Sequence, residues 1–195
     1  MRRRLEKYPS DFVAEYSLGA LTQQRGNVEE AAGYYRAALK SRPDNATAHN
    51  ALGAALLASS QPQESFAEFQ RAIQLQPDYA SAHYNVARLL MASDHFDDAI
   101  EHLRAIIRVN PHDVPALSDL GGALLATGKT DESIARLQEA IRLRPDYFNA
   151  RYNLGQALEA AGKPQEAVEQ YRVALKLDPN DPDTRAAIAK LNRLK

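Results

Sequence analysis

With 24 lysines and arginines against 25 aspartates and glutamates, this chain of 195 residues has a net charge of -1, and no general field draws in nucleic acid or an anionic membrane. It contains no cysteine, which excludes disulfides, thiolate catalysis and cysteine-based metal sites. No window approaches the ~18 consecutive apolar residues of a membrane helix, and the basic start MRRRLEKYPSDF has no apolar run behind it, so it is not a secretory signal. The expectation is a soluble chain of the cytoplasm, or of the periplasm if a leader has been removed.

Residues 1–9 read as the tail of a helix. Leu5 falls where later stretches place Leu39, Ile73, Ile107, Ile141 and Leu175, and Pro9 stands one interval before Pro43. A chain that begins this way is either capped by the stub or cut from a longer array, and the cut is the expectation here. Five stretches come next, at 12–45, 46–79, 80–113, 114–147 and 148–181, because Pro43, Pro77, Pro111, Pro145 and Pro179 recur at a constant interval of 34 residues. Each stretch holds two helical runs, near 12–25 and 28–41 in the first and at equivalent places later. Breakers separate the two runs: Gly26-Asn27, Ser60 with Pro62, Asp94, Gly128, and Gly162 with Pro164. Glycine just past a helix end takes the left-handed conformation without strain, so the second and third turns, which lack it, are expected to be less stable. After each second run the proline stops the helix, and Asp44-Asn45, Asp78, Asp113, Asp146 or Asp181 can cap the next one. The last segment, 182–195, has apolar Ala187, Ile188, Leu191 and Leu194 at helical spacing and reads as a capping helix.

The 34-residue period, with a Leu-Gly pair or its equivalent in each first run (Leu18-Gly19, Leu52-Gly53, Val86-Ala87, Leu120-Gly121, Leu154-Gly155), resembles the tetratricopeptide repeat (TPR) family along nearly the whole chain. That resemblance implies an all-α, right-handed superhelical solenoid of antiparallel helical hairpins, with first helices lining a concave groove and second helices outside. Packing supplies an independent reason for the small residues: Gly19, Gly53, Ala87, Gly121 and Gly155 stand where the first helix meets its partner. Ala38, Ala72, Ala140 and Ala174 do the same on the second helix, with Ile106 as the departure. The large residues Tyr35, Phe69, Leu103, Leu137 and Tyr171 are expected to fill the gap between repeats.

Charge is divided between the two kinds of run. The first runs hold little beyond Glu15, Arg25, Arg88, Asp119, Arg151 and Glu159, whereas FDDAIEHLRAIIRV alone holds Asp97, Asp98, Glu101, Arg104 and Arg108. A weakly charged inner face suits a peptide, although greater burial of the first runs would give the same pattern. Tyr16, Tyr84 and Tyr152 recur two residues before the Leu-Gly position, alternating with Asn50 and Ser118, a place that faces the groove in the family. Beside them Asn85, Asp119 and Asn153 form a broken run, similar to the asparagine ladder that holds an extended ligand backbone in O-linked N-acetylglucosamine transferases. Ser17 and Ala51 interrupt it. An amide donates and accepts at once, so it can satisfy a peptide bond of any sequence; tyrosine adds apolar area with a polar tip. Packing between helices is the competing role for the same residues. Leu57, Met91 and Leu125 form an apolar strip that reads as core. Of the basic and amide clamp that chaperone-binding TPR proteins use, only Arg88 survives.

Apparent catalytic signals fail. Gly128-Lys129-Thr130 lacks the earlier glycine and the strand of a phosphate loop, so it reads as an inter-helix turn. His49 and His83 would sit on helices about 10 Å apart, too far for a shared metal; His95, Asp98 and His102 share an outward face that would support at most adventitious metal contact. Asn45-Ala46-Thr47 is a sequon only in a secreted eukaryotic protein. The reading is therefore a scaffold or adaptor, not an enzyme, without cofactor or metal. Its partner is a peptide or helix held by Tyr16, Asn50, Tyr84, Asn85, Arg88, Asp119, Tyr152, Asn153 and Gln156. Two alternatives stay open: a substrate-selecting arm of a larger enzyme such as a glycosyltransferase, and a self-associating structural repeat.

Overall fold

The computed structural model describes residues 11–193, so the expected helix tail at 1–9, with Leu5 and Pro9, and the final Leu194 lie outside the described residues. Within them are eleven α-helices and no strands: α1 Phe12–Gln24, α2 Val28–Ser41, α3 Ala46–Ala58, α4 Pro62–Leu75, α5 Ala80–Ala92, α6 Phe96–Val109, α7 Val114–Ala126, α8 Thr130–Leu143, α9 Phe148–Ala160, α10 Pro164–Leu177 and α11 Pro182–Asn192. Odd-numbered α1 to α9 are the first helices of the repeats and α2 to α10 the second. No helix among the described residues is long and apolar enough to cross a membrane. The chain forms two compact units, one ending at Leu89 and the other beginning at Leu90, inside α5.

In the first unit α1 packs on α2, α3 on α4, and α2 on α3. The small residues let this happen. A Cβ placed on Gly19 would lie 2.7 Å from Tyr35, and one on Gly53 would lie 2.7 Å from Phe69, distances that real Cβ atoms do not reach. Tyr35 therefore sits on the glycine of its own hairpin, as well as in a cluster with Leu52, Ala55 and Leu56 of the next repeat. Its role is wider than the gap between repeats that the sequence suggested. Close approach also brings the buried Ser65 hydroxyl to the Gly53 carbonyl, to which it donates at 2.7 Å.

The second unit repeats the scheme, with α7 on α8, α9 on α10, and α6, α8 and α10 each packed on the next first helix or the terminal one. Leu137 covers Gly121 and Tyr171 covers Gly155, and Ser133 donates to the Gly121 carbonyl at 2.7 Å. Leu117, Leu137, Leu154, Leu158, Tyr171 and the terminal Leu191 belong to one buried cluster. Burying each such side chain stabilises by about 1.5–3 kcal/mol.

Three of the five turns inside hairpins use Gly26, Gly128 and Gly162 at φ of 83°, 76° and 73°. The other two hold the same left-handed geometry with Ser60 at 60° and Asp94 at 59°, where a side chain makes it costly. Of the aspartates expected to cap, Asp113 and Asp181 stand in the cap position, whereas Asp44 and Asp146 stand one residue before it. The cap stands two residues after each proline, so Asn45, Asp113 and Asp181 accept from the backbone N–H of Ala48, Ala116 and Thr184 at 2.8, 3.0 and 2.8 Å. Asp146 misses that frame: Tyr147 occupies the cap of α9 and makes no side-chain cap bond. On the second-helix side, ion pairs join successive repeats: Arg36 to Glu64 at 2.9 Å in the first unit, and Arg104 to Glu132 at 3.1 Å in the second. Being about half exposed, each contributes at most about 1 kcal/mol.

Candidate peptide-binding faces of the first helices

In the first unit α1, α3 and α5 present Tyr16, Asn50, Tyr84, Asn85 and Arg88. All but Arg88 are half-buried; Arg88 is exposed. Asn85 donates its amide N–H to Asn50 Oδ1 at 3.0 Å, tying α5 to α3. Asn85 Oδ1 and Asn50 Nδ2 keep no partner among the described residues, and neither does the Arg88 guanidinium, one helical turn beyond Asn85. Tyr16 belongs to an aromatic stack: its ring lies 5.8 Å from Phe12, nearly parallel, and 5.5 Å from Tyr35, tilted. The Arg42 guanidinium lies 4.8 Å from the Phe12 centroid. Burial raises the Tyr16 phenol and pushes Tyr35 up to about 12. Tyr35 thus stays a neutral donor, to Gln23 Oε1 at 2.9 Å.

The second unit brings together Asp119 on α7 and Tyr152, Asn153 and Gln156 on α9. Asn153 reaches back to α7 as Asn85 reaches to α3, donating to the Ser118 carbonyl over a long 3.5 Å. It fits because a Cβ at Gly122 would already stand 3.4 Å from its nitrogen. Ser118 departs from the expectation that its place faces the partner: it is sealed, and its hydroxyl finds no hydrogen-bond partner. The Phe–Tyr stack recurs four repeats on, with Tyr152 6.1 Å from Phe148 at an interplanar angle of 6° and 5.7 Å from Tyr171. Gln156 donates to the Tyr152 hydroxyl at 3.3 Å. Beside them opens a cleft of about 530 Å³, bounded by Tyr152, Gln156, Tyr171, Glu159 and Lys190, in which Lys190 pairs with Glu159. Burial, then the charges of Asp183, Asp181 and Glu159, raise the Tyr152 phenol. Asp119 is half-buried near Tyr147, whose phenol burial raises first and the Asp119 charge second.

Sequence reasoning missed Phe12 and Phe148, although an aromatic pair spaced i, i+4 on one helix was there to find. It also missed what the histidines do. His49 Nε2 donates to the Pro43 carbonyl at 2.8 Å while Nδ1 meets Glu68 at 2.6 Å. His83 donates to the Pro77 carbonyl at 2.9 Å. Arg151 and Arg185 do the same at Pro145 and Pro179. A basic side chain six residues after the proline pins each of these turns. Among the described residues no three His, Asp or Glu converge on a metal position, and His95 instead donates to the Ser93 carbonyl at 2.7 Å. Gly128-Lys129-Thr130 forms the α7–α8 turn, with Lys129 paired to Asp97 at 2.8 Å. Leu57, Met91 and Leu125 are half-buried.

A tetratricopeptide repeat model matches residues 16–80 and 119–182, about two thirds of the chain, and a second such model matches 56–124. The chain belongs to the tetratricopeptide repeat family. Its frame is that of a family of generally non-catalytic protein-interaction scaffolds. No curated protein matches the TPR chain in sequence. Among solved structures it is similar to YrrB, a TPR protein described as having an unusual peptide-binding site, at 20% identity and a TM-score of 0.84, over 95% of this chain and 96% of that one. It is also similar to MamA from Desulfovibrio magneticus RS-1, at 20% identity and a TM-score of 0.80 over 88% and 97%. Pseudomonas aeruginosa pilF matches at 20% and 0.80 over 94% and 83%. At these identities the likeness speaks for the fold alone.

Proposed function

We propose that this TPR chain is a non-catalytic adaptor that holds an extended partner peptide on the faces of its first helices. Tyr16, Asn50, Tyr84, Asn85 and Arg88 serve in the first unit, and Asp119, Tyr152, Asn153 and Gln156 in the second. The observation that carries this reading is the Asn85–Asn50 pair. It is half-buried between two first helices and leaves one carbonyl oxygen and one amide group unmet. Those are the complements of a peptide bond's N–H and C=O, whatever the side chain. Tyr84 beside the pair adds apolar contact area, and Arg88 adds a charge that can fork a carboxylate. The described peptide-binding site of YrrB, on a similar fold, agrees with this use.

The test is selection of peptides from a random displayed library against the intact chain, followed by titration of the best peptide. Tyr84→Ala with Arg88→Ala should weaken its binding about 5- to 30-fold, the loss of one or two good contacts. The melting temperature should stay within a few degrees, because neither side chain is buried. Selected peptides that bind the double variant as well as the parent would overturn the assignment, as would a selection that recovers none.

A further inference from the structure

The turn after α6 breaks a rule the other turns obey. Pro43, Pro77, Pro145 and Pro179 each offer a carbonyl to a basic side chain six residues on, but six residues after Pro111 stands Leu117. Leu117 has no donor and is sealed in the core. In the second and fifth repeats the pinning side chain also reaches the second helix, His49 to Glu68 and Arg151 to Gln170 at 2.8 Å. The equivalent residue of the fourth repeat is Arg136, which Leu117 cannot reach by a hydrogen bond.

Where the bridge is missing, a cleft of about 400 Å³ opens on the second-helix side of the second unit, between α6 and α8. Ile107 and Leu120 supply its apolar part, and Arg104, Arg108 and Arg136 its charge. Arg104 is already committed to Glu101 and Glu132, and Arg136 to Glu139 at 2.8 Å. Arg108 has no carboxylate partner among the described residues and is exposed. Glu101, Glu132 and Glu139 thus answer Arg104 and Arg136, and Arg108 is the lining guanidinium left without a carboxylate. Val109, 54% exposed, stands next to Arg108 at the end of the same helix.

We infer that this cleft is a second docking site, separate from the first-helix faces, for an acidic segment of a partner protein. A glutamate or aspartate carboxylate of that segment pairs with Arg108 while its methylenes lie on Ile107 and Leu120. A neighbouring apolar residue meets Val109, which a free diacid would not use. Arg104 and Arg136 keep their own partners, so Arg108 alone meets the incoming carboxylate.

A fluorescein-labelled peptide of alternating glutamate and leucine, titrated by anisotropy at low salt, tests the inference. The intact chain should bind it, and Arg108→Glu should weaken binding about tenfold or more, a like charge replacing an opposite one. Leu117→Arg with Arg136→Gln installs the Arg151–Gln170 arrangement of the fifth repeat and fills the cleft, so it should weaken binding as much. Arg25→Glu, an exposed position of the first unit, should change it by less than about twofold. If the Leu117 and Arg136 changes unfold the chain, the exposed Arg108→Glu decides alone. No binding at millimolar peptide, equal losses in Arg108→Glu and Arg25→Glu, or free glutarate binding as tightly as the peptide would each overturn it.

Discussion

Gly53→Ala measures the close approach of α3 and α4 directly. The new Cβ would stand 2.7 Å from both Phe69 Cδ1 and Cε1, and the Phe69 ring is fully buried. It cannot swing into solvent, so either the ring or the helix must move. Overpacking of this kind costs about 1–3 kcal/mol. Replacing a glycine inside a helix by alanine contributes about 1 kcal/mol in the opposite direction. The net expectation is a loss of up to about 2 kcal/mol, or several degrees in melting temperature for a chain of this size. Gly33→Ala is the internal control, since Gly33 also lies inside a helix but a Cβ there meets nothing within 4 Å. It should gain about 1 kcal/mol, so the two variants should differ by about 1–3 kcal/mol in urea unfolding followed by circular dichroism. Adding Phe69→Leu to Gly53→Ala copies the small–large combination Ala87 and Leu103 of the third repeat. The double variant should lose less than the sum of its singles by about 1 kcal/mol. Equal stabilities for Gly33→Ala and Gly53→Ala, or strict additivity with Phe69→Leu, would refute the packing argument.

At the two left-handed turn positions without glycine, Ser60→Gly and Asp94→Gly should each raise stability by about 0.5–1 kcal/mol, while Gly128→Ala, at φ of 76°, should lower it by about 1 kcal/mol; thermal melts of the three variants check the signs. Glu15 gives a pH-dependent case. Burial raises its carboxyl above the ordinary value of 4.5, a hydrogen bond from Ser41 working against that and Asp11 adding to it. A raised carboxyl binds its proton more tightly in the folded chain, so its favourable contribution is complete below the unfolded value and is lost as pH rises through the folded one. Glu15→Gln, neutral throughout, should therefore melt higher than the parent at pH 7, with the advantage shrinking as pH falls toward 4. A constant difference across that range would contradict the burial argument.

The helical hairpins were legible because their signals are local and recur. A proline at fixed spacing stops each second helix, and one small residue per first helix admits one large residue from its partner. Left-handed turns at Ser60 and Asp94 could be placed even without glycine, since the period locates them. The features that escaped depended on directions that spacing alone does not state. Asp146 looked like a cap, but the turn needs one more residue before α9 begins, and that residue is Tyr147. Helix spacing argued against a metal shared by His49 and His83, but it did not state that their rings point back at the turn carbonyls. Ser118 shared a register with Tyr16, Tyr84 and Tyr152, yet its exposure depends on how closely the neighbouring helices stand. Asn85 and Asn153 were legible as amides recurring on the first helices, but not as ties between successive first helices.

The six-residue spacing from proline carbonyl to basic side chain bears on how such a chain changes length. Excising residues 46–79 would bring Ala80 directly behind Asn45, and His83 would then stand six places after Pro43, where His49 stands now. The helix that loses Tyr79 would inherit an asparagine cap. An excision of 33 or 35 residues would instead carry the imidazole to a neighbouring face of the helix and leave the carbonyl unanswered. Loss of one whole hairpin there keeps the corner hydrogen bond in register, and a loss one residue shorter or longer does not.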